Sequence, residues 1–301
     1  MLHSVNKGSR VPDHLVAELP DRSALRRTPA RLREALNEDG FALLRDALPA
    51  ADVLAARAEV TTRLAGVGEL HEPPTDAIVT GVSRRAELVQ DLGTFWKSVS
   101  EGTKLRNVTH GPAITEIMTH IHGAPAIGHD LVYLRVAPPG QALDLHYDYP
   151  FFSRGTANLL TVWIPLGDVP VTDGPLFVVE GSNRYQDLIS EMIQAAGSAS
   201  TARKLSYEQP AYQFAAEHRT RLLTADFRVG DMVVFNMFTA HGSLDNCSTT
   251  GRARVSCDVR YQPADAPRDE RFFGPDPCGF DGAGYSNLNG SKPLTISWRT
   301  N

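Results

Sequence analysis

Arg252-Ala253-Arg254-Val255-Ser256-Cys257-Asp258-Val259-Arg260-Tyr261 alternates polar and apolar residues without a break. Successive side chains of a strand point to opposite faces, so Arg252, Arg254, Ser256, Asp258 and Arg260 share one face. Val255, Cys257, Val259 and Tyr261 share the other. A polar row facing the inside of a barrel is costly unless something charged is held there. Further short β-rich runs precede it, at residues 131–136, 142–149, 159–166, 176–179 and 232–235. Turn chemistry separates them, as in Pro138-Pro139-Gly140, Asp173-Gly174-Pro175, Glu180-Gly181-Ser182-Asn183 and Val229-Gly230-Asp231. Strands at this spacing predict a β-sandwich or barrel.

The texture before Pro125 is different. A short helix is expected over 29–37, with Leu32, Ala35 and Leu36 on one face, followed by a strand at 40–44. Pro49 opens a longer helix to residue 65, carrying Leu54, Ala55, Val60 and Leu64 at helical spacing. Residues 95–99 and 114–121 also read as helical, the second stopped by Gly123. Residues 1–25 have no period and read as a loosely held arm. Residues 68–85, with Pro73-Pro74, read as an irregular loop, and a polar helical stretch at 184–217 reads as an insertion. The expected fold class is α+β and mainly β. A double-stranded β-helix (jelly-roll, cupin-like) core carries N-terminal helices packed on its major sheet. Residues 26–301 form that single domain: a helical front at 26–125, a β core at 126–262, and an irregular, Pro- and Gly-rich tail at 263–301.

Composition narrows the functional classes. Apolar residues make up 42% and charged residues 22% of the 301, which is ordinary for a globular protein. The net charge of −5, with no basic stripe interleaved with aromatics, argues against a nucleic-acid partner. No apolar run approaches the roughly 20 residues of a membrane span. Met1-Leu2-His3-Ser4-Val5-Asn6-Lys7 lacks a secretory h-region. Cys247, Cys257 and Cys278 are too few and too irregularly spaced for a disulfide framework or zinc knuckle, and nothing marks one as a nucleophile. A reduced, cytoplasmic setting is expected.

The chemistry centres on His146-Tyr147-Asp148 and on His241, in Phe238-Thr239-Ala240-His241-Gly242. On an extended strand His146 and Asp148 point the same way, with Asp144 just before them. His241 lies a few residues beyond the apolar strand at 232–235, where a barrel mouth can admit substrate. Two imidazoles and one carboxylate can hold one face of an octahedral ion and leave the opposite face open, the ligand set of non-haem Fe(II) oxygenases. The inward polar face of 252–260 suits a dicarboxylate co-substrate. One guanidinium would grip its distal carboxylate while its 2-oxo acid end chelates iron. His120, His122 and His129-Asp130 read as structural or surface residues, since i and i+2 on a helix do not face each other.

In these pieces the sequence resembles the phytanoyl-CoA dioxygenase family of Fe(II)/2-oxoglutarate-dependent oxygenases. The matching segments are His146-Tyr147-Asp148-Tyr149-Pro150-Phe151, Thr161-Val162-Trp163-Ile164-Pro165-Leu166, Asp173-Gly174-Pro175-Leu176, Gly230-Asp231, His241-Gly242-Ser243, Asn246 and 252–256, with Asp39-Gly40-Phe41-Ala42-Leu43-Leu44 as the opening strand. The resemblance runs from about residue 30 to 262. It implies iron at His146, Asp148 and His241, with the 2-oxoglutarate carboxylate on Arg252, assisted by Ser256. It also implies a co-substrate pocket lined by Thr161 and Trp163. Arg254 is a second inward candidate for the clamp. Gly181-Ser182-Asn183 departs from a family pattern that often has His after Gly-Ser, a position that is not a ligand. Family halogenases replace the carboxylate ligand by a small residue, so Asp148 favours hydroxylation or another oxidation. Three protein ligands leave three positions, two for 2-oxoglutarate and one for O2, with succinate and CO2 as co-products.

The expected substrate is a free small molecule. The loop at 68–85, the insertion at 184–217 and the C-terminal tail are candidate lids, and Tyr147, Tyr149, Phe151 and Phe152 a candidate aromatic wall. Two rival classes share the ligands: a jelly roll that binds a metabolite or partner without turnover, and a metal-dependent hydrolase. The hydrolase would need neither an inward arginine nor O2.

Overall fold

A computed structural model describes residues 4–194, 207 and 209–296. In chain order the strands are β1 (Val5–Asn6), β2 (Ser9–Arg10), β3 (Val16–Glu18), β4 (Phe41–Leu44), β5 (Ala126–Gly128) and β6 (Tyr133–Ala137). They continue as β7 (Leu160–Pro165), β8 (Leu176–Val179), β9 (Leu222–Thr224), β10 (Met232–Asn236), β11 (His241–Ser243) and β12 (Arg254–Pro263). The larger sheet runs β4-β10-β7-β12-β5, with β6 also on β12; the smaller runs β11-β8-β9-β3. From β7 onward the chain passes to β8 and β9 in the smaller sheet, back to β10, across to β11, and back to β12. These crossings make a jelly roll, with the helices at the front of the chain packed on the larger sheet, as expected.

Strand alternation sorts the core. Val162, Ile164, Val234, Val255, Cys257 and Val259 face outward and pack with helix residues such as Leu36, Val60, Trp96 and Met118. Phe41, Leu43, Trp163, Val178, Val233 and Phe235 face inward between the sheets. β12 is the exception inside the barrel: its inward residues Arg254, Ser256, Asp258 and Arg260 are all polar, and all are buried.

Helices occupy Pro29–Asp39, Ala50–Gly66, Leu92–Ser100 and Pro112–His122, close to the expected spans, and Gly123 closes the last at φ 71°. The helix Thr103–His110 was not expected, because only Leu105 and Val108 among its residues bury apolar side chains. The strand expected at 142–149 does not form as such. Leu145 and His146 make single bridges, and a helical turn follows at Tyr149–Phe152, with Pro150 in its first positions. Proline removes a ladder donor and presets helical φ, so the extended run ends at the metal-ligand segment.

Residues 4–25 are not a loose arm. β3 adds a parallel strand to the edge of the smaller sheet through β9, and Val11, Leu15 and Leu19 are buried. The backbone N–H groups of Lys7 and Gly8 donate to Asp245 at 3.0 and 2.6 Å. An edge strand supplies pairing that so short a segment does not announce in its own periodicity. Of the expected insertion at 184–217, residues 195–206 and 208 lie outside the described residues. Helices flank them at Gln186–Gln194 and Ala211–Glu217.

The loop at 68–85 serves the C-terminal tail. Arg85 and Glu69, both fully buried, pair at 2.7 Å. Arg85 also donates to the carbonyls of Gly290, Ser291 and Lys292, and Glu69 accepts from Leu294 N. Removing one partner leaves an uncompensated buried charge. Arg85→Met is therefore expected to cost about 3–5 kcal/mol in urea unfolding, and the Arg85→Met/Glu69→Leu double variant less than either single change.

His110 provides a pH-sensitive element in the same layer. Its Nε2 donates to the His129 carbonyl at 2.9 Å, and burial, then Arg106, lowers its pKa to about 4 from 6.5. The unfolded chain therefore takes up the proton first. Stability falls as pH drops from 6.5 towards 4 and gains nothing from this group below that. His110→Gln is expected to flatten the slope of unfolding free energy against pH in that window. An unchanged slope would remove His110 as its source.

Candidate metal centre and co-substrate pocket

His146 and His241 are brought together by the backbone. Each N–H donates to the other residue's carbonyl at 2.9 Å, which sets the ring centroids 4.3 Å apart. The approach needs Gly242, where a Cβ would lie 2.8 Å from Phe177 and 2.9 Å from the Leu143 carbonyl. Nδ1 of His146 donates to the Asp144 carbonyl (2.8 Å) and Nδ1 of His241 to the Thr239 carbonyl (2.9 Å). Those bonds leave each Nε2 as a lone pair, the orienting arrangement of a ligating histidine. Both lone pairs face Asp148 Oδ1, at 3.8 and 4.0 Å.

The electrostatics keep the set ready for a cation. Burial, followed by the neighbouring His241, pushes the His146 pKa down to about 3; burial also lowers that of His241. For Asp148 burial acts upward, but Arg260, the two imidazoles and the Thr161 hydroxyl outweigh it and hold the carboxyl well below its usual range. Two neutral imidazoles and an ionised carboxylate result. The three ligand atoms lie within 4.8 Å of one another, all on buried residues. The donor set N, N, O suits iron and leaves half of an octahedron open.

The other residues expected at the site divide. Trp163 faces inward and lines a cavity with Arg135, Leu176, His241, Arg254 and Asp258. Thr161 does not line it: its Oγ1 donates to Asp148 Oδ2 at 2.5 Å, so it orients the carboxylate. Ser256 is buried and accepts from Arg254 Nη1 at 2.8 Å. Arg252 lies outside the barrel. It precedes β12, its backbone bridges Ile78, and its Nε donates to Asp173 Oδ2 at 2.6 Å, with a third of the side chain exposed. The alternation of 252–260 holds only where the chain is in the sheet, which begins at Arg254.

Arg254 is an inward guanidinium that lines this cavity. It is 3% exposed, and its Nε and Nη2 have no hydrogen-bond partner among the described residues. Buried donors of this kind call for an acceptor, and a carboxylate is the acceptor that matches a guanidinium. Arg135 and Arg260 carried no assigned role in the sequence reading. Arg135 pairs with Asp258 at 2.6 Å, and Arg260 holds Asp148. The alternation within 131–136 puts Tyr133 and Arg135 on one face and was the available signal for Arg135. His129 packs between aromatic rings, 5.1 Å from Phe272, outside the triad.

A jelly roll with two histidines and an aspartate converging inside it defines the class of Fe(II)/2-oxoglutarate-dependent oxygenases. The profile of the family described as Phytanoyl-CoA dioxygenase (PhyH) matches residues 36–254, and the chain belongs to that family. The chain is 26% identical over 251 residues to 1-deoxypentalenic acid 11-beta-hydroxylase of Streptomyces exfoliatus, covering 78% of this chain and 83% of that protein. The enzyme of the same name from Streptomyces arenae is 24% identical over the same shares. Among solved structures, the epimerase SnoN from nogalamycin biosynthesis shares the fold with a TM-score of 0.53 at 20% identity, covering 83% of this chain and 93% of that one. EctD from S. alaskensis does so with a TM-score of 0.52 at 17% identity, covering 86% and 84%. Among the described residues no helix is long and apolar enough to cross a membrane.

Proposed function

We propose that this chain is an Fe(II)- and 2-oxoglutarate-dependent dioxygenase that hydroxylates a C–H bond of a small natural product. The observation that carries the reading is the pairing of the buried His146-Asp148-His241 cluster with an inward arginine, Arg254, whose donors lack partners. His146, Asp148 and His241 would hold the iron. Arg254, steadied by Ser256, would bind the distal carboxylate of 2-oxoglutarate, with Trp163 as a wall of that pocket. When bound, iron and 2-oxoglutarate supply the oxidising power, with succinate and CO2 as co-products. The protein orients the substrate and keeps water out. The presence of Asp148 favours hydroxylation over halogen transfer.

Aromatic rings beside the triad support an apolar substrate. Phe151 sits edge-on to His146 with centroids 6.2 Å apart, and Phe280 sits edge-on to Phe151 at 5.1 Å. An apolar molecule suits this wall. Phe280 belongs to the C-terminal tail, so the tail would contribute to selectivity. The curated relatives named for hydroxylation of 1-deoxypentalenic acid support a natural-product substrate. The test is aerobic incubation with Fe(II), 2-oxoglutarate and a panel of terpenoid and polyketide metabolites, following substrate-dependent succinate and a product one oxygen heavier. Anaerobic Fe(II) plus 2-oxoglutarate should also give a weak visible charge-transfer band. Its absence would favour a binding protein without turnover.

A further inference from the structure

Asp148 is held by more than the histidines it faces. Arg260 Nη2 lies 3.1 Å from both of its oxygens, and Thr161 Oγ1 donates to Oδ2 alone. Oδ2 thus has two donors from the protein and Oδ1 one, and Oδ1 is the oxygen within 4.0 Å of both imidazole Nε2 atoms. The guanidinium is itself fixed, with its Cζ 4.4 Å from the ring centroid of Tyr133 and 4.5 Å from that of Phe152. Its Nε and Nη1 have no partner among the described residues, and Asp258, the inward carboxylate of β12 itself, is taken by Arg135. The hydrogen bonding of Arg260 is therefore directed at Asp148.

We propose that Arg260 is a positioning residue for the metal centre, holding Asp148 so that Oδ1 alone faces the ion and one coordination position stays free. A carboxylate can bind a cation through one oxygen or two. With both oxygens bound, two histidines and Asp148 fill four octahedral positions, and a chelating 2-oxoglutarate fills the rest. With Oδ2 engaged by Thr161 as well as Arg260, and Oδ1 by Arg260 alone, Asp148 would take one position, and a site would remain open after the co-substrate binds. An arginine fits this task because its charge is fixed and its planar group, packed against Tyr133 and Phe152, keeps Nη2 in one place over Asp148, which a flexible lysine does not do.

The inference rests on the metal-centre reading, and the two fail differently. Mn(II) replaces iron as the probe, and the water-proton relaxivity of the full-length protein reports water bound to the ion. Wild type is expected to keep a bound water after 2-oxoglutarate is added. Arg260→Met should still bind Mn(II). Its relaxivity should fall by about a third without co-substrate and to the outer-sphere level with it. Thr161→Val should shift in the same direction by less. Wild-type relaxivity in Arg260→Met, with and without 2-oxoglutarate, overturns the proposal; failure of the wild type to bind Mn(II) overturns the metal centre instead. Should Arg260→Met not fold by circular dichroism, Arg260→Lys decides. The ammonium keeps the charge without the planar group packed on Tyr133 and Phe152, so lowered relaxivity supports the proposal and unchanged relaxivity overturns it.

Discussion

Asp148→Ala is expected to bring substrate-dependent succinate formation down to the level of metal-free protein. The substitution removes the one carboxylate ligand and leaves two histidines, whose Nε2 atoms converge on Asp148 Oδ1. Loss of a hydrogen-bonding neighbour of a metal ligand already costs 10- to 100-fold in metal affinity or activity, and loss of the ligand itself should cost more than about 100-fold. The variant also leaves the buried Arg260 without its acceptor, so part of the effect will be on stability. Urea unfolding of the metal-free protein separates the two, because a purely structural defect would follow the unfolded fraction. Wild-type turnover in Asp148→Ala would end the assignment of the triad.

The second large effect concerns the co-substrate. Arg254→Ala is expected to raise the 2-oxoglutarate concentration needed for half-maximal turnover by about 30-fold or more, since truncating one side of a buried charge-assisted pair costs about 2–5 kcal/mol. Arg252→Ala should change it less than about fivefold, because a partly exposed pair such as Arg252–Asp173 contributes about 0–1 kcal/mol. Ser256→Ala should fall between them, as it frees Arg254 Nη1 without removing the charge. The reverse ranking of the two arginines would return the clamp to Arg252, the position implied by the family resemblance.

Those two arginines show where the sequence stops being sufficient. Arg252 and Arg254 have the same parity and the same chemistry, and alternation cannot separate them. The difference is that the strand begins at Arg254, while Arg252 sits before it, where Asp173 captures its guanidinium. Thr161 gives the same lesson: its inward direction was legible, but its partner was set by the position of Asp148 across the barrel. The helix at Thr103–His110 and strand β11 were hidden for a simpler reason. One has too few apolar residues to show a period, and the other is three residues long and pairs only because β8 lies beside it.

By itself the sequence determined the class of fold and the identity of the three converging ligands. Short alternating runs, turn residues and the spacing of His146, Asp148 and His241 are local properties, written along the chain and independent of how it closes. The tertiary structure decided that Arg254 is buried while Arg252 is partly exposed, that Thr161 and Arg260 grip Asp148, and that residues 4–25 and the described part of the tail are built into the domain. Each of these depends on contacts between segments far apart in sequence, where burial, register and the need to pair a buried charge select one partner among several that the sequence leaves equivalent.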